Sequence, residues 1–257
     1  MTDLVAEAAT ALDLGHRKRQ EDAVIADFPQ GEGFGLAVLS DGMGGHADGD
    51  LASRTIAGEM FGELLFAAAR LGDLGPASHA AFGAALERAN DRLEQQIAQG
   101  AISADTGGTL LAAAIKGDRL RWISVGDSLL YLYRRGRLTR LNADHSMAPQ
   151  LDLMAKLGEI DEDTARRHPD RNCLTSAITG APVPRIDNPA KALRLRPGDT
   201  VVLASDGLQT LSERRLARIL RLRPWHGSDA IARALMGAVR KSGVEGQIGR
   251  ASCRERC

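Results

Sequence analysis

A chain of 257 residues, 44% of them apolar, can bury a substantial core, which excludes a disordered polymer. Its 33 acidic and 33 basic side chains cancel and only two Trp and two Tyr are present, so neither bulk charge nor a base-stacking surface points to nucleic acid or to an anionic membrane. No apolar run is long enough to span a bilayer, Met1-Thr2-Asp3-Leu4 lacks the regions of a secretion signal, and three scattered cysteines form no disulfide or zinc pattern; the cytosol is the expected compartment.

In chain order, residues 6–14 and 22–28 read as strands joined by the basic turn His16-Arg17-Lys18-Arg19-Gln20, and Leu36–Ser40 as a third. Ala-rich helical periodicity follows at Leu51–Leu71 and Ala77–Gln99, broken by Gly72–Pro76. Residues 109–115, 120–125 and 129–133 form an expected antiparallel meander, with turns at Lys116-Gly117-Asp118 and Arg135-Gly136. Residues 147–172 are polar and irregular, with a helical hint around Met154, and read as an excursion over the surface. Leu193–Leu203 returns to strand, and helical patterns occupy 212–222 and 228–241. Long helices set among runs of short strands imply a layered α+β architecture rather than alternating βαβ units. No linker divides the chain, so residues 1–247 are expected to form one domain.

The last ten residues differ. Ile248-Gly249-Arg250-Ala251-Ser252-Cys253-Arg254-Glu255-Arg256-Cys257 is basic and without useful periodicity, and it resembles the translation of a sequencing adapter. The expectation is an artefactual tail at 248–257 and a sheet that lacks its last strand.

Three apolar runs leave the core through an acid. Leu36–Leu39 exits as Ser40-Asp41-Gly42-Met43-Gly44-Gly45-His46, Val201–Ala204 exits as Ser205-Asp206-Gly207, and Trp122–Val125 exits more loosely as Gly126-Asp127-Ser128. Strand ends fix carboxylates in place, and glycines let backbone groups come close to whatever those carboxylates hold. A single Asp-Gly of this kind is usually a turn; the repetition favours one cluster of hard oxygen ligands. Carboxylates without paired His or Cys suit Mg²⁺ or Mn²⁺. Two such ions can activate a water for attack on a phosphoryl or carbonyl centre. In that reading Asp41 bridges, Asp206 serves one ion and the Gly42 carbonyl the other. Glu21-Asp22 opens a strand, so that one carboxylate faces the metals while the other turns away or holds a coordinated water. Arg17 offers a planar fork for a phosphate, the alternative being a solvated basic turn.

These pieces resemble a known family, the metal-dependent (type 2C) serine/threonine protein phosphatases. The resemblance rests on Gly15-His16-Arg17-Lys18-Arg19-Gln20-Glu21-Asp22, Asp41-Gly42-Met43-Gly44-Gly45-His46, Thr106-Gly107-Gly108-Thr109 and Val125-Gly126-Asp127-Ser128. It continues through Asp144-His145-Ser146, Arg171-Asn172-Cys173-Leu174-Thr175 and Ala204-Ser205-Asp206-Gly207-Leu208. The order and spacing match from about residue 10 to 245, and the Gly-Met-Gly-Gly-His form is similar to the bacterial branch. The resemblance implies a four-layer α-β-β-α sandwich, two antiparallel sheets flanked by helices, with a binuclear Mn²⁺/Mg²⁺ centre in its cleft. It implies that Asp41 bridges the metals, Gly42 gives its carbonyl, and Glu21 and Asp22 serve them directly or through water. It assigns a metal to Asp206, the substrate phosphate to Arg17, and a third, weaker metal to Asp127. Residues 147–172 match the variable flap beside the cleft.

The departures are specific. Gln20 replaces Asn, and Met43 stands where animal members carry a His proposed as general acid, leaving His46 as the nearest replacement or as a turn residue. Leu129 and Ser176 stand where Arg is frequent. The family closes with Asp-Asn and an apolar strand, and that Asp completes the metal site; after Ser242-Gly243-Val244-Glu245-Gly246-Gln247 this chain has neither. The expected function is hydrolysis of phosphoserine and phosphothreonine on proteins in bacterial signalling, with a partner kinase's substrates as targets and a monomeric state. The alternative is a catalytically weak or silent relative that regulates by binding phosphoproteins. A dedicated phosphatase for one signalling target is a third reading.

Overall fold

The computed structural model describes residues 5–15, 19–29, 33–44, 48–70, 74–222, 227–242 and 248–256. Strands β1 (Val5–Asp13), β2 (Asp22–Asp27) and β3 (Phe34–Met43) precede helices α1 (Asp48–Arg70) and α2 (Pro76–Ala98). Strands β4 (Gly107–Gly108), β5 (Leu110–Lys116), β6 (Arg119–Val125), β7 (Leu129–Arg134) and β8 (Arg137–Arg140) follow. Then come α3 (Ala148–Leu157), α4 (Glu162–Arg167), β9 (Leu193–Arg194), β10 (Thr200–Ala204), α5 (Glu213–Leu222), α6 (Gly227–Arg240) and β11 (Ile248–Arg256).

All pairings between these strands are antiparallel. One sheet runs β2-β3-β5-β6-β9 with β4 attached to β3; the other runs β1-β11-β10-β7-β8. Alternation along each strand creates three apolar layers. On β3, Leu36 and Val38 face α1 and α2, while Ala37 and Leu39 face the other sheet. On β10, Val201 and Leu203 face inward to meet them, and Val202 and Ala204 pack beneath α5 and α6 with Leu216, Leu220 and Leu235. Helices, sheet, sheet, helices: the four-layer sandwich expected from the sequence is the fold observed.

Three expectations are corrected. The strand read as Leu193–Leu203 is two strands in different sheets, because Arg196-Pro197-Gly198-Asp199 turns the chain across the sandwich; Asp199 accepts from the Arg196 N–H at 2.8 Å and pairs with Arg134. The excursion at 147–172 is more ordered than expected and holds two short helices. Gly158 ends α3 at φ 76°, and Asp161 caps α4 by accepting from the backbone of Asp163 and Thr164. The missing last strand is present. Ile248–Arg256 pairs with β1 from Val5↔Arg256 to Asp13↔Ile248 and with β10 from Thr200↔Arg254 to Ala204↔Arg250. Ladder pairing uses backbone groups alone, and this segment holds no Pro, so side-chain periodicity is a poor guide to a slot flanked on both sides by waiting strands.

Candidate metal centre

The centre is built from the ends of strands. β2 pairs with β3 so that Asp22 lies directly opposite Asp41, which sets two carboxylates side by side. The next pair locks in through the backbone, the Gly42 N–H donating to the Glu21 carbonyl at 3.0 Å. A Cβ on Gly42 would fall 1.9 Å from the Gly49 carbonyl oxygen, so only glycine lets the start of α1 close over this strand end.

Thr109 holds Asp41 from the other side. Its Oγ1 accepts from the Asp41 N–H at 3.0 Å, its N–H donates to the Asp41 carbonyl at 2.8 Å, and its own carbonyl accepts from Ser40 Oγ at 2.7 Å. Ser205, fully buried at the end of β10, donates from Oγ to Asp22 Oδ2 at 2.9 Å, tying one sheet to the other next to Asp206. Asp206 opens a 3₁₀ turn, Asp206–Thr210.

Asp127 leaves β6 through Gly126, whose φ of 99° and close approach to Thr109 Cγ2 (2.6 Å from a built Cβ) both demand glycine. His145 braces that bend: its N–H donates to the Gly126 carbonyl at 3.1 Å, and its Nδ1 accepts from the Gly126 N–H at 3.2 Å. Burial holds the His145 pKa below its ordinary value, which suits an imidazole that must accept at Nδ1. Arg140 donates to the Asp127 carbonyl at 3.1 Å and pairs with Asp144 at 2.8 Å. The Asp144-His145-Ser146 motif is therefore a brace for the Asp127 bend.

Electrostatics mark the same spot. Burial first, and then the charges of Asp22, Asp206 and Asp127, push the Asp41 carboxyl well above the usual carboxylate range. Burial, followed by repulsion from Asp206 and Asp144, raises Asp127 to about 7, against the opposing pull of Arg140. Glu21, Asp41, Gly42, Asp127 and Asp206 line an open cleft of about 780 Å³, whose far wall is the segment from Asn172 to Pro184. Asp22 lies behind Asp41, 5% exposed and outside that lining. Of the two adjacent acids, it is Glu21 that faces the cleft.

Hard oxygen donors that repel one another in a buried setting fit a divalent cation, whose charge offsets the repulsion. Among the described residues no three His, Cys, Asp or Glu side chains close around a single point. An ion here would complete its coordination with a backbone carbonyl and water, the habit of Mg²⁺ and Mn²⁺ rather than of zinc. Arg17 and His46, expected at the phosphate and the leaving group, lie outside the described residues. Thr109, Ser205, His145 and Arg140 are supporting residues to which sequence reasoning assigned no role, although three of them sit inside the motifs it singled out.

The family model described as Protein phosphatase 2C matches residues 15–250. The chain belongs to that family. It is 34% identical over 195 residues to the serine/threonine protein phosphatase PstP of Mycobacterium tuberculosis, an alignment covering 75% of this chain and 34% of PstP, so it spans about a third of that relative's length. The crystal structure of PstP superposes with a TM-score of 0.79 at 28% identity, covering 99% of this chain and 100% of that one. A structure of the PstP catalytic domain in complex with two manganese ions gives 0.77 at 26% identity, with the same coverage.

Proposed function

We propose that this chain is a metal-dependent protein phosphatase domain that hydrolyses phosphoserine and phosphothreonine in proteins. The observation that carries the reading is the set of carboxylates, Asp41, Asp127 and Asp206 with Glu21 beside them, compressed at the floor of an open cleft. In this reading Asp41, Asp206, Glu21 and the Gly42 carbonyl would hold two ions, Asp22 would act from behind, and Asp127 would serve a third, weaker site. Bound there, Mn²⁺ or Mg²⁺ supplies positive charge against the phosphate and acidifies water. The protein's own part is geometric: Thr109 pins the Asp41 backbone, the β2–β3 ladder holds Asp22 opposite it, and Ser205 ties Asp22 to the other sheet, so the floor is set before a substrate arrives. Arg17 receives the phosphate, and His46 protonates the departing serine or threonine oxygen. The wall from Asn172 to Pro184 carries no acidic side chain, which leaves room for the peptide flanking an anionic group.

Cytoplasmic bacterial signalling, a partner kinase and a monomeric state complete the proposal; among the described residues no helix is long and apolar enough to cross a membrane. One observation favours the weaker relative. Residues 243–257 contain no Asp to match the acid that closes the family's metal site, although reading residues 248–257 as an artefactual tail accounts for that more simply than a silent site does. The test is hydrolysis of a phosphothreonine peptide with and without Mn²⁺, using this chain and a variant whose residues after Gln247 are replaced by an Asp-Asn-Ile-Thr-type strand. Manganese-dependent turnover, higher in the repaired chain and lost on Asp41→Ala, is the expected result. Silence in both chains despite bound metal would establish the regulatory reading.

A further inference from the structure

Helices α5 and α6 leave a groove of about 390 Å³ on the face opposite α1 and α2, and none of its residues lines the catalytic cleft. Its rim carries Arg215, Arg218 and Lys241, and its floor includes Ile219, Ala234 and Gly237. The cations are placed there by periodicity. On α5 the residues Leu216 and Leu220 point into the core, which forces Arg214, Arg215, Arg218 and Arg221 outward.

Two features characterise this groove. Exposed arginines on α1, on α4 and elsewhere on α6 are paired one turn away, as in Arg54–Asp50, Arg166–Glu162, Arg167–Asp163 and Arg233–Asp229. Among the described residues Arg215, Arg218 and Lys241 have no such ion pair, in a chain whose formal charge is zero. The second feature is Gly237, in the interior of α6. A Cβ there would meet nothing within 4 Å, so nothing inside the protein requires glycine. Gly58 and Gly62 on α1 are equally open, but Gly237 lies between cationic side chains in a concave surface, where its missing side chain leaves the floor accessible from outside.

We propose that the α5–α6 groove docks an acidic, amphipathic segment of a partner protein, its carboxylates on the Arg215–Arg218–Lys241 rim and its small apolar side chains on the Gly237 floor. A free phosphate would leave the apolar floor uncovered, and a lipid headgroup plane cannot follow a concave surface. The site is independent of the phosphatase chemistry, since its signature is binding and its residues stand apart from the cleft.

The test is fluorescence anisotropy of the full chain with a labelled synthetic peptide of Glu-Glu-Leu-Ala repeats. Saturable binding is expected, weakened at least about tenfold both by Arg215→Glu/Arg218→Glu and by Gly237→Leu, which fills the floor without touching the core. Arg166→Glu/Arg167→Glu on the distant α4 should leave it unchanged. Ala234→Leu replaces Gly237→Leu if the latter lowers the melting temperature. Absence of saturable binding overturns the proposal. So does loss caused equally by the α4 reversal with no response to floor filling, which is diffuse attraction. Displacement by inorganic phosphate alone, or tighter binding to phosphatidylserine vesicles that is insensitive to floor filling, overturns it in favour of a simple anion or membrane site.

Discussion

Removing the charge of Asp127 while keeping its shape should stabilise the metal-free protein. Asp127 is 8% exposed, and its carboxyl titrates at about 7 instead of 3.8. The folded state therefore keeps a proton that the unfolded chain has already released between those two values. Stability contributed by this group falls as pH rises through that window, and the loss is complete once the folded carboxyl ionises. At 1.36 kcal/mol per pH unit the full gap amounts to about 4 kcal/mol, an upper bound once local relaxation is allowed. Asn mimics the protonated form at every pH. In excess EDTA, Asp127→Asn should gain about 1–2 kcal/mol over the wild type at pH 5 and about 3–4 kcal/mol at pH 8, read from urea unfolding at each pH. Saturating Mn²⁺ should narrow or reverse the pH 8 difference, because an ion bound only by the folded state stabilises the chain that still offers the carboxylate. A gain that does not change with pH, or a destabilised variant at pH 8, would refute the electrostatic account of this site.

Gly42→Ala should lower stability by about 3 kcal/mol, because its Cβ meets the Gly49 backbone; Gly58→Ala on the open face of α1 should instead raise it by about 0.5–1 kcal/mol, both read as urea midpoints. Asn90 on α2 accepts from the Gly180 N–H at 3.0 Å and donates to the Ala181 carbonyl at 3.1 Å, holding the cleft wall in place. Asn90→Ala should raise KM for a phosphothreonine peptide by about three- to tenfold while leaving kcat for p-nitrophenyl phosphate within about twofold, and equal effects on both would mean a general disturbance. Arg121 is fully buried and donates to the carbonyls of Pro189 at 2.8 Å, Ala190 at 3.2 Å and Leu74 at 3.3 Å. Arg121→Met should cost about 3 kcal/mol in chemical denaturation, since those carbonyls lose their donor.

Much of this was legible in the residues, because the signals were local. The Ser-Asp-Gly exits at Asp41 and Asp206 lie within a few residues of the buried runs that position them, and the alternating apolar faces of β3, β5 and β10 follow from period two. What local pattern could not supply was the partner across the sandwich. Nothing near Ser205 in sequence announces that its hydroxyl reaches Asp22, 183 residues away. Likewise Thr109 and His145 act on backbone groups of Asp41 and Gly126, and such contacts leave no periodicity. The strand at Ile248–Arg256 was missed for a related reason: its place is set by β1 and β10 on either side, and pairing asks only for an extended backbone.

The position of the centre also explains why so repulsive a cluster is tolerated. Asp22 and Asp41 come from neighbouring strands, and Asp127 leaves the same sheet through β6, so their spacing is set by hydrogen-bonded register. Asp206 arrives from the other sheet, and its distance from them is set by the middle apolar layer, where Leu39 and Leu111 meet Leu130 and Leu203. Bringing Asp206 up to the other charges is therefore a consequence of burying that layer, which contributes roughly 2 kcal/mol per buried leucine. Drawing Asp206 away from Asp41 and Asp127 would mean separating the sheets, so these carboxylates stay close and a divalent cation finds them already in place.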